Sequence, residues 1–171
     1  MVVKNQNLSL YNNQEMPDAS DMTFGIVTAE WNSEITFSLL KGCKETLILH
    51  GAKEGNIQSV FVPGTFELPV AAKMLSNVHK LDAVICLGCV IKGETSHNEY
   101  INNSVANILQ QLSVATSKPF IFGVLTPNSM EQALDRAGGK HGNKGVEAAV
   151  TAIKMIFLKK TLSEPDKKIG F

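Results

Sequence analysis

Asp82-Ala83-Val84-Ile85-Cys86-Leu87-Gly88-Cys89-Val90-Ile91 decides the fold of this chain. The run is nearly continuous in apolar residues, the signature of a strand covered on both faces rather than one that alternates between core and water. Such strands belong to parallel sheets held between helical layers. The C-x-x-C spacing of Cys86 and Cys89 raises a redox or metal reading. In an extended chain, however, residues three apart point to opposite faces, so the two sulfurs do not converge. No second C-x-x-C completes a zinc set, and the bland reading, two small buried apolar side chains, is preferred.

Working outward, strands and helices alternate. Upstream, 24–27 reads as a first strand, 33–50 as a helix with Ile35, Leu39, Cys43 and Leu47 on one face, and 57–62 as a second strand closed by Pro63-Gly64. A helix over 66–78 tolerates Pro69 in its first turn. Downstream, 96–115 is helical with Ile101, Val105, Ile108 and Leu112 aligned, and 120–125 is a fourth strand. A helix over 129–137 is broken by Gly138-Gly139, and helix resumes over 145–160. The expected architecture is α/β, a four-stranded parallel sheet with right-handed crossovers between two helical layers. The expected division is an N-terminal arm (1–22), one domain (23–160) and a polar C-terminal tail (161–171). The arm reads as loose, with Leu8-Ser9-Leu10-Tyr11 as a short edge strand, and 163–168 reads as frayed.

Composition narrows the function. The 171 residues carry 16 basic and 16 acidic side chains, a formal net charge of zero. That balance argues against a nucleic-acid-wrapping protein and permits self-association. No apolar run approaches the ~20 residues that span a bilayer. With no secretory leader and three cysteines, the reading is a cytoplasmic protein with reduced thiols. Two singletons stand out: Trp31 is the only tryptophan and Arg136 the only arginine.

In open parallel sheets ligands bind beyond the carboxyl ends of the strands, so the loops 28–33, 63–67, 89–97 and 125–129 are the candidates. Trp31 follows the first strand; it reads either as a rim aromatic or as a flat surface for a planar ligand. Thr65 sits where an N-cap belongs, and Glu67 suits the positive end of the next helix, although a hydroxyl beside a carboxylate also suits a polyol. Ser96 and Glu99 have capping-box spacing. With Thr95 and Lys92 nearby, that helix start reads as an anion site. His97 falls in its first turn, where the helix dipole disfavours imidazolium, leaving a proton acceptor at the ligand edge. Ser129 and Gln132 form a second capping box. The Gly- and Lys-rich stretch 138–145 reads as a helix-breaking linker, which does not account for Arg136, whose rigid fork suits phosphate.

Taken together, Pro63-Gly64-Thr65-Phe66-Glu67-Leu68-Pro69, Gly93-Glu94-Thr95-Ser96-His97, the strand Phe120–Leu125 with Thr126, Glu131-Gln132-Ala133, Arg136-Ala137-Gly138 and Gly142-Asn143-Lys144-Gly145 resemble the 6,7-dimethyl-8-ribityllumazine synthase family. The resemblance runs from about Phe24 to about Leu158. It implies a flavodoxin-like three-layer α/β/α sandwich and an enzyme that joins 5-amino-6-(ribitylamino)uracil to 3,4-dihydroxy-2-butanone 4-phosphate without a metal or redox cofactor. It also implies sites between neighbouring subunits of a pentamer, with twelve pentamers closing into a shell that can hold riboflavin synthase. By resemblance, Trp31 stacks on the pyrimidine, and Thr65, Phe66 and Glu67 bind around the ribityl chain. The backbone of Cys89, Val90 and Ile91 reads the pyrimidine edge. Glu94, Thr95 and Arg136 hold phosphate, His97 transfers protons, and Phe122 and Lys144 approach the ligand. Phe122 and Arg136 are expected from the adjacent subunit, and Lys92, Arg136, Lys140 and Lys144 are expected to gather near one phosphate. Asn98 departs from the aromatic that usually follows the histidine. The alternatives are a flavin- or nucleotide-binding module, against which the loop after the first strand lacks a phosphate cradle, and a shell protein without activity.

Overall fold

A computed structural model describes Asn7 and residues 9–163. Four parallel strands, β1 (Phe24–Ala29), β2 (Ile57–Val62), β3 (Ala83–Cys89) and β4 (Phe120–Leu125), form one sheet in the order β2-β1-β3-β4. Every residue of β3 is buried, as is every residue of β1. The crossovers are α1 (Ser33–Leu49), α2 (Leu68–Val78) and α3 (His97–Thr116), and α5 (Lys144–Ser163) closes the chain. α1 and α5 pack together over one face of the sheet, with Ile26, Leu39, Leu87 and Ile153 in that core. α2 and α3 cover the other face, where Val27, Leu68, Cys86 and Val105 meet. This is the flavodoxin-like three-layer sandwich expected from the sequence. Cys86 and Cys89 fall in different cores, so the C-x-x-C pair is split by the sheet itself. All three thiols are free and buried, and burial pushes Cys43 up to about 12 and Cys89 up to about 11.

Several local readings are corrected. Thr65 is not an N-cap: Gly64 takes that position, and a 3-10 turn, Thr65–Glu67, leads into α2. The Thr65 hydroxyl is instead buried against Gly88, where any Cβ would collide with it. The box at Ser96 and Glu99 does not form, because Ser96 makes no side-chain cap bond and contributes only its carbonyl, which accepts from the Glu99 and Tyr100 N–H groups at 3.0 and 3.4 Å. The box at Ser129 does form in part. Ser129 Oγ accepts from the Gln132 N–H at 3.3 Å, while Gln132 Oε1 accepts from Asn128. After the short α4 (Met130–Asp135), the supposed linker is an antiparallel hairpin, β5 (Ala137–Gly139) and β6 (Gly142–Asn143). Gly138 and Gly142 turn its corners at φ +112° and +84°, which side chains with a Cβ avoid.

The arm is not loose where it is described. Ala19 and Met22 lie in the α1/α5 core, and the Tyr11 hydroxyl meets His50 Nε2 at 2.9 Å. The expected edge strand is absent among the described residues: Ser9–Tyr11 are turn and coil, and Leu8 lies outside the described residues. α5 runs on to Ser163; residues 164–171, most of the segment expected to fray, lie outside the described residues.

Two glycines test how tightly α5 is seated. A Cβ on Gly145 would drive into the Leu39 backbone carbonyl of α1, whereas one on Gly55 would meet nothing within 4 Å. Backbone cannot swing aside, so Gly145→Ala is expected to cost about 3 kcal/mol or more in urea unfolding at fixed protein concentration. Gly55→Ala is expected to stay within about 0.5 kcal/mol of the parent. Equal midpoints for the two variants would contradict the packing described.

Candidate active site at the carboxyl edge of the sheet

The chain leaves β1 in one direction to make β2 and later returns on the other side to make β3. The crevice at that switch is where a sheet of this kind offers backbone and side chains to a ligand. A cavity of about 500 Å³ opens there, a size suited to a small organic molecule. It is lined by Trp31 and Asn32 after β1, by Gly64, Thr65, Phe66 and Glu67 after β2, and by Cys89, Val90, Ile91, Gly93, Thr95, His97, Asn98 and Ile101 after β3. Three of the four loops selected from the sequence converge on it. The fourth braces the wall from behind: the Leu125 carbonyl accepts from the Val90 N–H at 2.8 Å, and the Pro127 carbonyl accepts from the Lys92 N–H at 2.9 Å.

The cleft is built by short links between strand ends. The Glu30 and Trp31 N–H groups donate to the Val62 and Pro63 carbonyls at 2.8 and 3.1 Å, extending the β1–β2 pairing past the strands. Asn32 adopts the left-handed conformation at φ 59°, ψ 46°, and its Nδ2 donates to the Cys89 carbonyl at 2.9 Å. One asparagine therefore turns the chain into α1 and ties the β1 end to the β3 end. Sequence reasoning gave Asn32 no role; the usable signal was an asparagine, which tolerates positive φ, directly before a helix. Trp31 is left 73% exposed, with its ring unspent on the core. Phe66 is exposed too, whereas Thr65 is buried. A Cβ on Gly64 would sit 3.0 Å from Glu67 Oε2, so this glycine lets the carboxylate fold back along the turn.

His97 is the first residue of α3 and faces the cleft with Thr95. The helix start has no side-chain cap, so those first-turn N–H groups that the Ser96 carbonyl does not take remain for another acceptor. Asn98 lines the same wall, half-buried. Glu94 is exposed in the loop between two lining residues and is not itself among the residues that line the cavity.

The remaining candidates lie elsewhere on the same chain. Phe122 and Lys144 line a separate hollow of about 710 Å³ between α3, β4 and α5. Arg136 lines neither; its Nη2 meets Glu147 Oε1 at 2.7 Å and its Nη1 donates to the His141 carbonyl at 2.7 Å. Lys144 Nζ reaches the other oxygen of Glu147 at 3.2 Å, and Lys140 pairs with Asp135 at 3.0 Å. Within one chain the four cations therefore do not gather: Lys92 is exposed on the cleft side, and the other three belong to the hairpin region. Glu147, which holds Arg136 and Lys144 at once, was also missed. Its spacing to Lys144 is visible along a helix, but its contact with Arg136 exists only after the hairpin folds. Among the described residues no group of three or more His, Cys, Asp or Glu is placed to hold a metal ion, and no helix is long and apolar enough to cross a membrane.

The family described as 6,7-dimethyl-8-ribityllumazine synthase matches residues 21–160. A protein of that name from Cytophaga hutchinsonii is 54% identical over 88% of this chain and 94% of its own length. One from Parabacteroides distasonis is 52% identical over 91% and 98%, and one from Porphyromonas gingivalis is 49% identical over 94% and 99%.

Because Trp31 is the sole tryptophan, its emission reports directly on the cleft. Titration with a ligand carrying a substituted pyrimidine ring is expected to quench it saturably. Trp31→Ala is expected to weaken binding by up to about tenfold, the worth of an aromatic stack, while Trp31→Phe keeps most of the affinity. Binding that leaves the emission unchanged would rule out stacking on Trp31.

Proposed function

Since the chain belongs to the 6,7-dimethyl-8-ribityllumazine synthase family, we propose that the cleft at the β1/β3 switch is where its two substrates meet. The activity is that of a lumazine synthase, a transferase of riboflavin biosynthesis. It condenses 5-amino-6-(D-ribitylamino)uracil with 3,4-dihydroxy-2-butanone 4-phosphate to 6,7-dimethyl-8-ribityllumazine, moving a four-carbon unit and releasing phosphate and water. The observation that carries the assignment of the site is the convergence of an unspent indole, a hydroxyl–carboxylate pair and a histidine at an uncapped helix start in one cavity.

In this reading the uracil lies on Trp31, and the backbone at Cys89, Val90 and Ile91 meets its polar edge. Thr65, Phe66 and Glu67 receive the ribityl chain, the carboxylate accepting from its hydroxyls. The α3 N-terminus, with Glu94 and Thr95 in the loop before it, faces the phosphate substrate. Positioning two small molecules face to face supplies ~7–11 kcal/mol of a barrier of this kind. The 5-amino nitrogen attacks the ketone carbon and water leaves as an imine forms; phosphate is eliminated from the four-carbon unit; the ribitylamino nitrogen then attacks the second carbonyl and another water leaves as the ring closes. His97 takes and returns the protons of these steps, a contribution of ~10²–10⁴-fold.

Arg136, Phe122 and Lys144 enter from a neighbouring subunit, where Arg136 offers its fork to the phosphate. A guanidinium has five N–H donors, so contact with Glu147 and His141 does not exhaust it. Support for assembly comes from zero net charge and from exposed apolar side chains, including the edge-to-face pair Phe37 and Phe61 with ring centroids 5.4 Å apart. The proposed assembly is a pentamer, twelve of which close into a sixty-subunit shell able to enclose riboflavin synthase, in the cytoplasm. The proposed division of the chain is an arm over 1–22, the catalytic domain over 23–160 and a tail over 161–171.

Mixing the purified protein with both substrates and following the lumazine chromophore tests the assignment. His97→Ala is expected to lower kcat by about 10²–10⁴-fold with little change in either KM; unchanged turnover would remove His97 from the mechanism. In the same buffer the particle mass is expected to correspond to sixty copies of the 18.5 kDa chain, and the mass of a single pentamer would contradict the shell.

A further inference from the structure

Ser9, in the N-terminal arm, lies 134 residues from Asn143 in sequence, yet its hydroxyl grips that residue twice. Ser9 Oγ accepts from the Asn143 N–H at 2.6 Å and donates to the Asn143 carbonyl at 2.9 Å, with Glu147 Oε1 3.4 Å away. Gly142, beside it, is bare for this purpose: a Cβ there would collide with Ser9 Oγ and with Asn7 Oδ1. The arm is therefore seated in the outer turn of the β5–β6 hairpin.

What the hairpin carries gives this contact its meaning. The Asn143 side chain points the other way, donating to the Ser38 carbonyl of α1 at 3.0 Å and accepting from the Gly145 N–H at 2.8 Å, at the start of α5. The Lys144 N–H donates to the Arg136 carbonyl at 2.9 Å. Glu147 then holds Arg136 with one oxygen and Lys144 with the other. Inward bonds to α1 and the outward bond pair to Ser9 fix Asn143 from both sides, and Asn143 precedes the lysine and pairs across the hairpin with Ala137, the residue that follows the arginine.

We propose that Ser9 is a positioning residue for the reaction: through Asn143 and Glu147 it holds the Arg136–Lys144 pair in the geometry that receives the phosphate of the four-carbon substrate. The inference rests on the assignment of Arg136 to that phosphate. Ser9 touches no reacting atom. Without its hydroxyl, the Asn143 backbone loses a donor and an acceptor on its solvent side, and the hairpin gains freedom that phosphate binding must then remove.

The test uses the full-length protein, with inorganic phosphate as competitive inhibitor. Ser9→Ala is expected to raise the KM for the butanone phosphate and the inhibition constant for inorganic phosphate in parallel, roughly three- to tenfold, the effect of one or two lost hydrogen bonds. The KM for the ribitylaminouracil, kcat and the particle mass are expected to stay put, and Ser9→Thr, which keeps the hydroxyl, is expected to restore most of the loss. Arg136→Gln, measured alongside, separates the two layers of the argument. If Arg136→Gln weakens phosphate binding and Ser9→Ala does not, the role of Ser9 is overturned. If Arg136→Gln leaves phosphate binding unaltered, the assignment beneath it fails instead. Both KM values rising together, or a loss of particle mass, would make Ser9 a merely structural residue and also overturn the proposal.

Discussion

Everything in this molecule is arranged around a strand that can do nothing but be buried. β3 is flanked by β1 and β4 and covered on both faces, so all seven of its residues are buried. Its backbone is committed, because buried N–H and C=O groups must be paired. Chemistry is therefore expelled to the points where the ladder stops. The Cys89 carbonyl is met by the Asn32 side chain and the Val90 N–H by the Leu125 carbonyl, so even these ends are tied before a ligand arrives. A cavity at such a place is rigid on its floor and variable only in its loops, which suits a reaction that needs two small molecules held in register.

The helix that follows β3 shows how function departs from local rules. Ser96 and Glu99 have the spacing of a capping box, yet the box is left unmade and the start of α3 stays open. A capped start would spend its N–H groups on the protein itself; an uncapped one keeps them for a bound anion. The Ser129 start of α4, away from the cleft, is capped. The difference between two similar sequence signals lies in what each helix end faces.

Much of this was legible in the sequence, for physical reasons. β2 and β4 matched the expected bounds residue for residue because Pro63-Gly64 and Pro119 punctuate them and because apolar runs of that length have one use between helices. Trp31, Thr65, Glu67 and His97 meet at one edge of the sheet because the α/β pattern alone sends strand ends there. Misreadings cluster where tertiary contacts decide. A hairpin of three and two residues has no stability of its own and forms here because Asn143 is wedged against α1 and Ser9 seals it from outside. The arm reads as loose for the same reason: nothing in its local composition reveals that Met22 and Ala19 fill a core or that Tyr11 finds His50. The lone arginine was noticed by count, but its partner Glu147 comes from another element.

The central claim is that the two clusters of this chain, the Trp31–His97 cleft and the Arg136–Lys144 hairpin, are halves of one site completed across a subunit boundary. Subunit complementation tests it most directly. His97→Ala and Arg136→Gln chains, each impaired alone, are co-expressed so that they assemble together, and lumazine formation is measured. The account predicts activity well above either parent, because some boundaries pair an intact cleft with an intact hairpin. Mixed assemblies no more active than the average of the two parents would contradict it.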